Sequence, residues 1–348
     1  MSAEAKEQLE QPEAEAPQRV QLNEQDAALQ AAAVAAARRW EQREAAEEVV
    51  TEDVEELDLT RRRLEKIEGF DFLRSIRSLC LRWNLLKKIE GLSQLRTLVE
   101  LDLYDNQIAK IERLDALVNL ETLDLSFNRI TKLEGLEALS GLRTLYLTHN
   151  KLQKIEGLEA LTQLEYLELG DNRIKRIEGL ERNTRLQRLF LGANQIRRIE
   201  GVGHLQALVV LSLPGNVLTV IEGLEQLGGL RELYLSQNGI QRIGGLENNR
   251  QLEMLDLNWN RLERVEHVAH LQQLTDFWAK QNKLADLADL RELAALPRLS
   301  CVYLGANPWA EHTNYRSVLA HSLPPVQLLD GAPFRRLGGD QAGAPVQI

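Results

Sequence analysis

Cysteine, histidine, aromatic rings and long apolar runs are all scarce in this chain of 348 residues, and each shortage closes off a class of protein. Two cysteines cannot build a disulfide framework. Six histidines, of which only His267 and His270 lie close together, give little to a metal centre, and no cysteine lies near that pair. No apolar stretch approaches the roughly 18 residues of a membrane span. The N-terminus, with Glu4, Glu7 and Glu10, lacks a signal-peptide pattern, and no N-x-S/T acceptor occurs. A soluble intracellular protein is expected. The net charge of −10 lacks the basic excess that phosphate backbones demand, which argues against nucleic acid and favours a basic protein partner. P-loop, G-x-G-x-x-G and nucleophile-elbow motifs are missing too, so an enzyme is not expected.

Leucine and asparagine, by contrast, recur on a strict schedule. Asparagine returns every 22 residues, from Asn84 and Asn106 through Asn128 and onward to Asn282. Each closes a stretch L-x-x-L-x-L-x-x-N, as in Leu120, Leu123, Leu125 and Asn128. A period of 20 to 29 with this pattern is the signature of leucine-rich repeats. The fold predicted is an α/β leucine-rich-repeat solenoid, a curved horseshoe of about twelve 22-residue repeats. Its parallel strands line the concave side, and short 3₁₀ or helical turns occupy the convex side.

The chain divides accordingly. Residues 1–22 read as a disordered acidic N-terminus and 23–53 as a helical cap carrying Trp40 and Val50. Residues 54–307 form the solenoid, 308–337 a C-terminal cap ending at Leu329-Asp330, and 338–348 a loose tail. The interval before the last repeat is 25, so 285–297 carries extra outer residues. Cys80 and Cys301, ten repeats apart, are separated by about 50 Å at roughly 4.8 Å per strand, too far for a disulfide.

Within each repeat the two leucines of L-x-L point inward and the residue between them outward. The asparagine amide is assigned to backbone groups of the neighbouring turn. A basic column (Lys66, Lys88, Lys110, Lys132 and onward) precedes by two residues an acidic one (Glu68, Glu90, Glu112, Glu134 and onward), and the two neutralise each other. Glycines such as Gly91 and Gly135 then turn the chain outward.

Chemistry concentrates on the concave face. The outward strand centres include Asp102, Asp124, Tyr146, Glu168, Phe190, Tyr234, Asp256, Trp278 and Tyr303, with Ser212 interrupting. Trp83, Tyr104, Phe127, Tyr166, Trp259 and Asp276 flank them. Rings interleaved with acids suit a protein interface, the rings as anchors and the acids selecting a basic partner. Asp102 and Asp124 are spaced like a carboxylate pair, but an open face is not expected to desolvate them.

The stretches Leu79–Leu86, Glu100–Glu112, Leu123–Asn128 and Leu230–Asn249, with Phe277-Trp278 and Val302–Pro308, resemble the leucine-rich-repeat regulatory subunit 7 of type-1 serine/threonine protein phosphatase. The likeness spans about residues 54–336; the N-terminal arm shows none. It implies that the concave face holds the phosphatase catalytic subunit through Asp124, Tyr146, Glu168, Phe190, Asp256, Asp276, Trp278 and Tyr303. Tyr146 stands where phenylalanine is usual and Asp276 where glutamate is usual. It also implies that the subunit holds an immature, poorly active enzyme, often beside a small inhibitor protein, with no cofactor. No R-V-x-F docking peptide is present, so the horseshoe must do the binding. The expected location is nucleus and cytoplasm. The 22-residue repeat itself is shared with axonemal dynein-associated and tubulin-chaperone scaffolds, the alternative reading.

Overall fold

Period 22 places leucine above leucine, and in the computed structural model, which describes residues 51–323 and 326–334, this spacing becomes the register of a continuous sheet. Strands β1 (Glu56–Asp58), β2 (Ser78–Cys80), β3 (Glu100–Asp102), β4 (Thr122–Asp124), β5 (Thr144–Tyr146) and β6 (Tyr166–Glu168) pair in parallel, each with its successor. So do β7 (Arg188–Phe190), β8 (Val210–Ser212), β9 (Glu232–Tyr234), β10 (Met254–Asp256), β11 (Asp276–Trp278) and β12 (Cys301–Tyr303). Leu101, Leu123, Leu145 and Leu167 are direct partners along the stack. The result is a parallel-sheet solenoid with about 11 turns, in keeping with a horseshoe. The segments assigned to the acidic N-terminus, to nearly all of the helical N-cap and to the tail lie outside the described residues.

The interior is one aliphatic column. Leu123, Leu125, Ile130, Leu133, Leu136, Leu139 and Leu142 of a single repeat are all at or below 1% exposure, and the same positions repeat along the stack. Stacking units that cannot bury their apolar face alone is what stabilises such arrays.

Asparagine satisfies the bend. Asn128 Nδ2 donates to Leu103 O of the preceding repeat (3.0 Å) and to Leu125 O and Ser126 O of its own (3.1 Å each), while its Oδ1 accepts from Ile108 N at 2.9 Å. Equivalent bonds hold Asn150, Asn172 and Asn194. Glycine is required where the chain turns outward. Gly91 has φ +69°, and a Cβ there would lie 2.1 Å from Ile67 O.

The outer layer differs from expectation. In regular repeats it is a succession of tight turns, as where Leu95 N donates to Leu92 O and Leu98 N to Leu95 O, and not 3₁₀ or α-helix. Only the lengthened repeat has room for a 3₁₀ turn (Leu287–Asp289) and helix α1 (Leu290–Ala294). Asp289, 2% exposed, is held there by Arg264 at 2.6 Å and by Val265 N at 3.1 Å.

The charge columns also pair in two ways. Lys132 reaches Glu134 of its own repeat (3.1 Å), whereas Arg176 and Arg242 cross to Glu200 and Glu266 of the next (2.9 Å each). The forked guanidinium closes that gap to hydrogen-bonding distance, whereas the Lys110 ammonium, which also crosses to Glu134 of the next repeat, stays 3.8 Å away. Being exposed, these pairs add little stability.

After Asn307, which closes the asparagine ladder, Trp309 is fully buried and donates to Leu304 O at 3.1 Å. Helix α2 (Tyr315–Ser322) buries Tyr315 and Leu319. Strand β13 (Leu328–Leu329) continues the parallel sheet and β14 (Ala332–Pro333) returns antiparallel. Asp330 Oδ1 accepts from Leu304 N and Gly305 N, both at 2.8 Å, ending the backbone ladder.

Candidate protein interface on the sheet face

The outward strand centres stand side by side, because a 22-residue step along the chain is one strand across the sheet. Asp124, Tyr146, Glu168 and Phe190 are consecutive partners, and Asp256, Trp278 and Tyr303 form a second run. Asp276 belongs to the neighbouring column, between Met254 and Cys301. All are half-buried except Asp256, which is 6% exposed. Strands β8 and β10 are buried throughout, so the side chains that stand out from the face are those of β4 to β7 and those of β9, β11 and β12.

Rings within each group support one another. Tyr166 packs 5.0 Å from Tyr146 and 5.1 Å from Phe190 between centroids, and Trp278 packs 5.2 Å from Tyr303. The Tyr166 hydroxyl donates to Glu168 at 3.0 Å. Such contacts fix rings before any partner arrives, which lowers the ordering cost of binding.

The acids are less solvated than an open face suggests, and this overturns the expectation from sequence. Burial pushes Asp256 up to about 6. It pushes Asp102 up to about 7, with Asp124 adding to the rise, and it raises Asp124 as well. Each carboxylate is pinned by a local backbone bond that opposes the rise: Asp102 from Tyr104 N (2.9 Å), Asp124 from Ser126 N (2.8 Å) and Asp256 from Asn258 N (2.9 Å). The three residues are held at the strand ends, where neighbouring repeats cover them. Arg82 lies 3.3 Å from Asp102, but among the described residues neither Asp124 nor Asp256 has an ion pair.

Other candidates resolve into structural roles. His270 Nε2 bonds Leu246 O at 2.9 Å, and no three His, Cys, Asp or Glu side chains among the described residues form a metal-holding group. Cys80 and Cys301 are free, with thiols pushed up to about 12 by burial.

Sequence reasoning picked out Trp83, Tyr104, Phe127 and Trp259 as flanks of the strand centres but did not set them apart as a rim beside the sheet. The residue before each asparagine adopts the left-handed conformation, as Trp83 (φ 53°), Phe127 (φ 55°) and Trp259 (φ 57°) show. The side chains there join the preceding column in an aromatic ladder with Arg61 and Arg82 at one end. Its signal, a ring or arginine one or two places before asparagine, was present but is visible only once that bend is known.

A family profile described as leucine-rich repeat matches residues 210–343, and one described as leucine-rich repeats in two copies matches 96–141, 118–160, 140–182 and 162–204. No curated protein matches the chain. Among solved structures it is similar to an internalin (inlF) of Listeria monocytogenes, at 25% identity over 85% of this chain and 93% of that one, TM-score 0.66. A leucine-rich-repeat protein of Leptospira interrogans gives 26%, 74%, 73% and 0.61 in the same order. The LRIM1/APL1C complex, at 22% identity over 74% of this chain and 49% of that one with TM-score 0.61, shares the fold.

Proposed function

The chain belongs to the leucine-rich-repeat family, and from that premise we propose that it is a regulatory subunit holding the catalytic subunit of a type-1 serine/threonine protein phosphatase on its sheet face. Leucine-rich-repeat solenoids are scaffolds suited to protein–protein interaction and typically have no catalysis of their own. The finer reading comes from the resemblance of residues 54–336 and from the side chains it selects.

One observation carries most weight. Asp256 is desolvated beside fixed rings and no described cation of this chain pairs with it, while Asp124, also desolvated, is eased only at a distance by Arg82, whose ion pair is with Asp102. A carboxylate left this way costs stability in the free protein, and a cationic partner side chain would offset that cost on binding. Asp124, Tyr146, Glu168 and Phe190 then form one contact group, and Asp256, Asp276, Trp278 and Tyr303 the other. In this reading the subunit retains an immature, poorly active phosphatase, alongside a small inhibitor protein, in nucleus and cytoplasm.

Affinity capture with the full chain, followed by mass spectrometry, tests the proposal. The phosphatase catalytic subunit should be recovered, and Asp124→Lys with Glu168→Lys should abolish its recovery. Capture that survives both charge reversals, or an eluate holding tubulin or dynein components and no phosphatase, would replace this reading with the cytoskeletal scaffold.

A further inference from the structure

The rim of the first four repeats presents aromatic side chains that the fold itself does not require. Trp83 and Phe127 occupy the left-handed position before asparagine and remain 40% and 36% exposed. A bulky residue is disfavoured there because its Cβ crowds the following carbonyl oxygen. The same position elsewhere holds one further large ring, Trp259, and otherwise smaller or more flexible side chains such as Asp105, Asp171, Gly215, Gln237 or Ala306, all with positive φ. Large rings have therefore been placed where the backbone disfavours them, in the open.

These rings are contiguous. Arg61 stacks on Trp83 at 4.3 Å, and Arg82 lies over Tyr104 at 4.4 Å. Trp83 meets Tyr104 edge-on at 6.0 Å, Tyr104 meets Phe127 at 4.9 Å, and Phe127 stacks on His149 at 4.5 Å. His149 is in turn bonded to Asp171. Held by their neighbours, such rings bind with little loss of side-chain freedom. Charge gives the ladder a direction. Arg61, Arg62 and Arg63 are exposed at its start and have no ion pair to another described residue, in a chain whose net charge is −10. At about 4.8 Å per repeat the ladder is roughly 15–20 Å long, the span of five or six extended residues.

We propose that the rim from Arg61 to His149 is a second docking surface, for an extended polypeptide segment carrying carboxylates beside large apolar side chains. The carboxylates meet Arg61–Arg63, and the apolar side chains lie along Trp83, Tyr104 and Phe127. Nucleic acid fits less well. The rings close on one another at 4.5 to 6.0 Å and leave no slot for a base, and Asp105 and Asp171 would repel phosphates. The surface is independent of the phosphatase reading, which uses the strand centres.

The test is selection of random twelve-residue peptides displayed on phage by the full-length chain, with counter-selection on a Trp83→Ala/Phe127→Ala chain. The expected consensus places Asp or Glu next to Trp, Phe or Leu. A synthetic consensus peptide should bind at least tenfold more weakly to that double variant and to Arg61→Glu/Arg62→Glu/Arg63→Glu, and equally well to Phe190→Ala. The arginine variant, altered only at exposed positions, carries the test if the double variant does not fold. A basic consensus, no enrichment over counter-selection, equal binding to both rim variants, or displacement by oligouridylate RNA would each overturn the proposal, the last in favour of a nucleic-acid groove.

Discussion

Ile108 N donates to the side-chain oxygen of Asn128, 20 residues further along the chain, at 2.9 Å, and both groups are buried. That bond ties two repeats together at the bend. Asn128→Ala leaves the Ile108 N–H without its acceptor, whereas Leu103 O and Leu125 O keep the amides of Asn106 and Asn150. One orphaned buried donor costs about 1–3 kcal/mol. Urea unfolding should show a loss of that size for Asn128→Ala. A smaller loss is expected for Asn84→Ala at the solenoid's edge, where Leu64 is only half-buried. Equal losses at both positions would mean that the amide bonds, and not burial, set the scale.

Glycine substitutions separate the outward turn from the rest of the loop. At Gly135, φ is +69° and an added Cβ would lie 2.5 Å from Ile111 O. At Gly141 the nearest atom, Val118 O, is 3.8 Å away and φ is ordinary. Gly135→Ala should lower stability by about 2 kcal/mol or more through strain and the clash. Gly141→Ala should be neutral or slightly stabilising. Thermal melts of the two variants decide this directly, and a tolerated Gly135→Ala would show that the stack can shift to admit a methyl group.

Two repeats break the apolar pattern of the outer layer. Asn183 and Asn249 occupy the position that Leu139, Leu161, Leu205 and Leu227 fill elsewhere, and both are completely buried. Asn183 Nδ2 donates to Leu158 O and Leu161 O, but Oδ1 of both asparagines has no partner among the described residues. The two leucine carbonyls already accept backbone N–H groups in their own turn. Asn183→Leu should therefore stabilise the chain by about 1–2 kcal/mol, by removing an unsatisfied oxygen and restoring the repeat's own side chain. A lower denaturation midpoint for this variant would show that the bonds to the previous repeat matter more.

The fold was legible in the sequence to the extent that period alone determines geometry. A spacing of 22 between asparagines fixes which residues pair across strands, and so places Asp124, Tyr146, Glu168 and Phe190 in one row before any coordinate is known. Period says nothing about what side chains of adjacent strands do to one another. Hence the desolvation of Asp102, Asp124 and Asp256 could not be read: it arises from covering by neighbouring repeats. The ion pairs that cross repeats, as Arg176 does to Glu200 and Lys110 to Glu134, depend on side-chain reach and not on spacing. The left-handed bend at Trp83 and Phe127 depends on the exit from the strand, where residue type varies freely.

Asp256 offers a measurable link between the folded state and the face it occupies. Its carboxyl lies at 6% exposure and is raised to about 6 from an ordinary value near 3.8. A raised acid binds its proton more tightly when folded. Its penalty is therefore complete above about pH 6 and is relieved as pH falls from about 6 towards 4. Two units correspond to something on the order of 2–3 kcal/mol. Asp256→Asn keeps an oxygen that can accept from Asn258 N but removes the charge. The variant should melt higher than the wild type at pH 7.5, with the advantage falling to about a third at about pH 4.5 and to near zero by about pH 3. If the acid is kept for a cationic partner, the same variant should lose phosphatase capture while gaining stability. A variant less stable than wild type at pH 7.5 would show that the ionised form is favoured by contacts within this chain, and would remove the energetic argument for a cation supplied from outside.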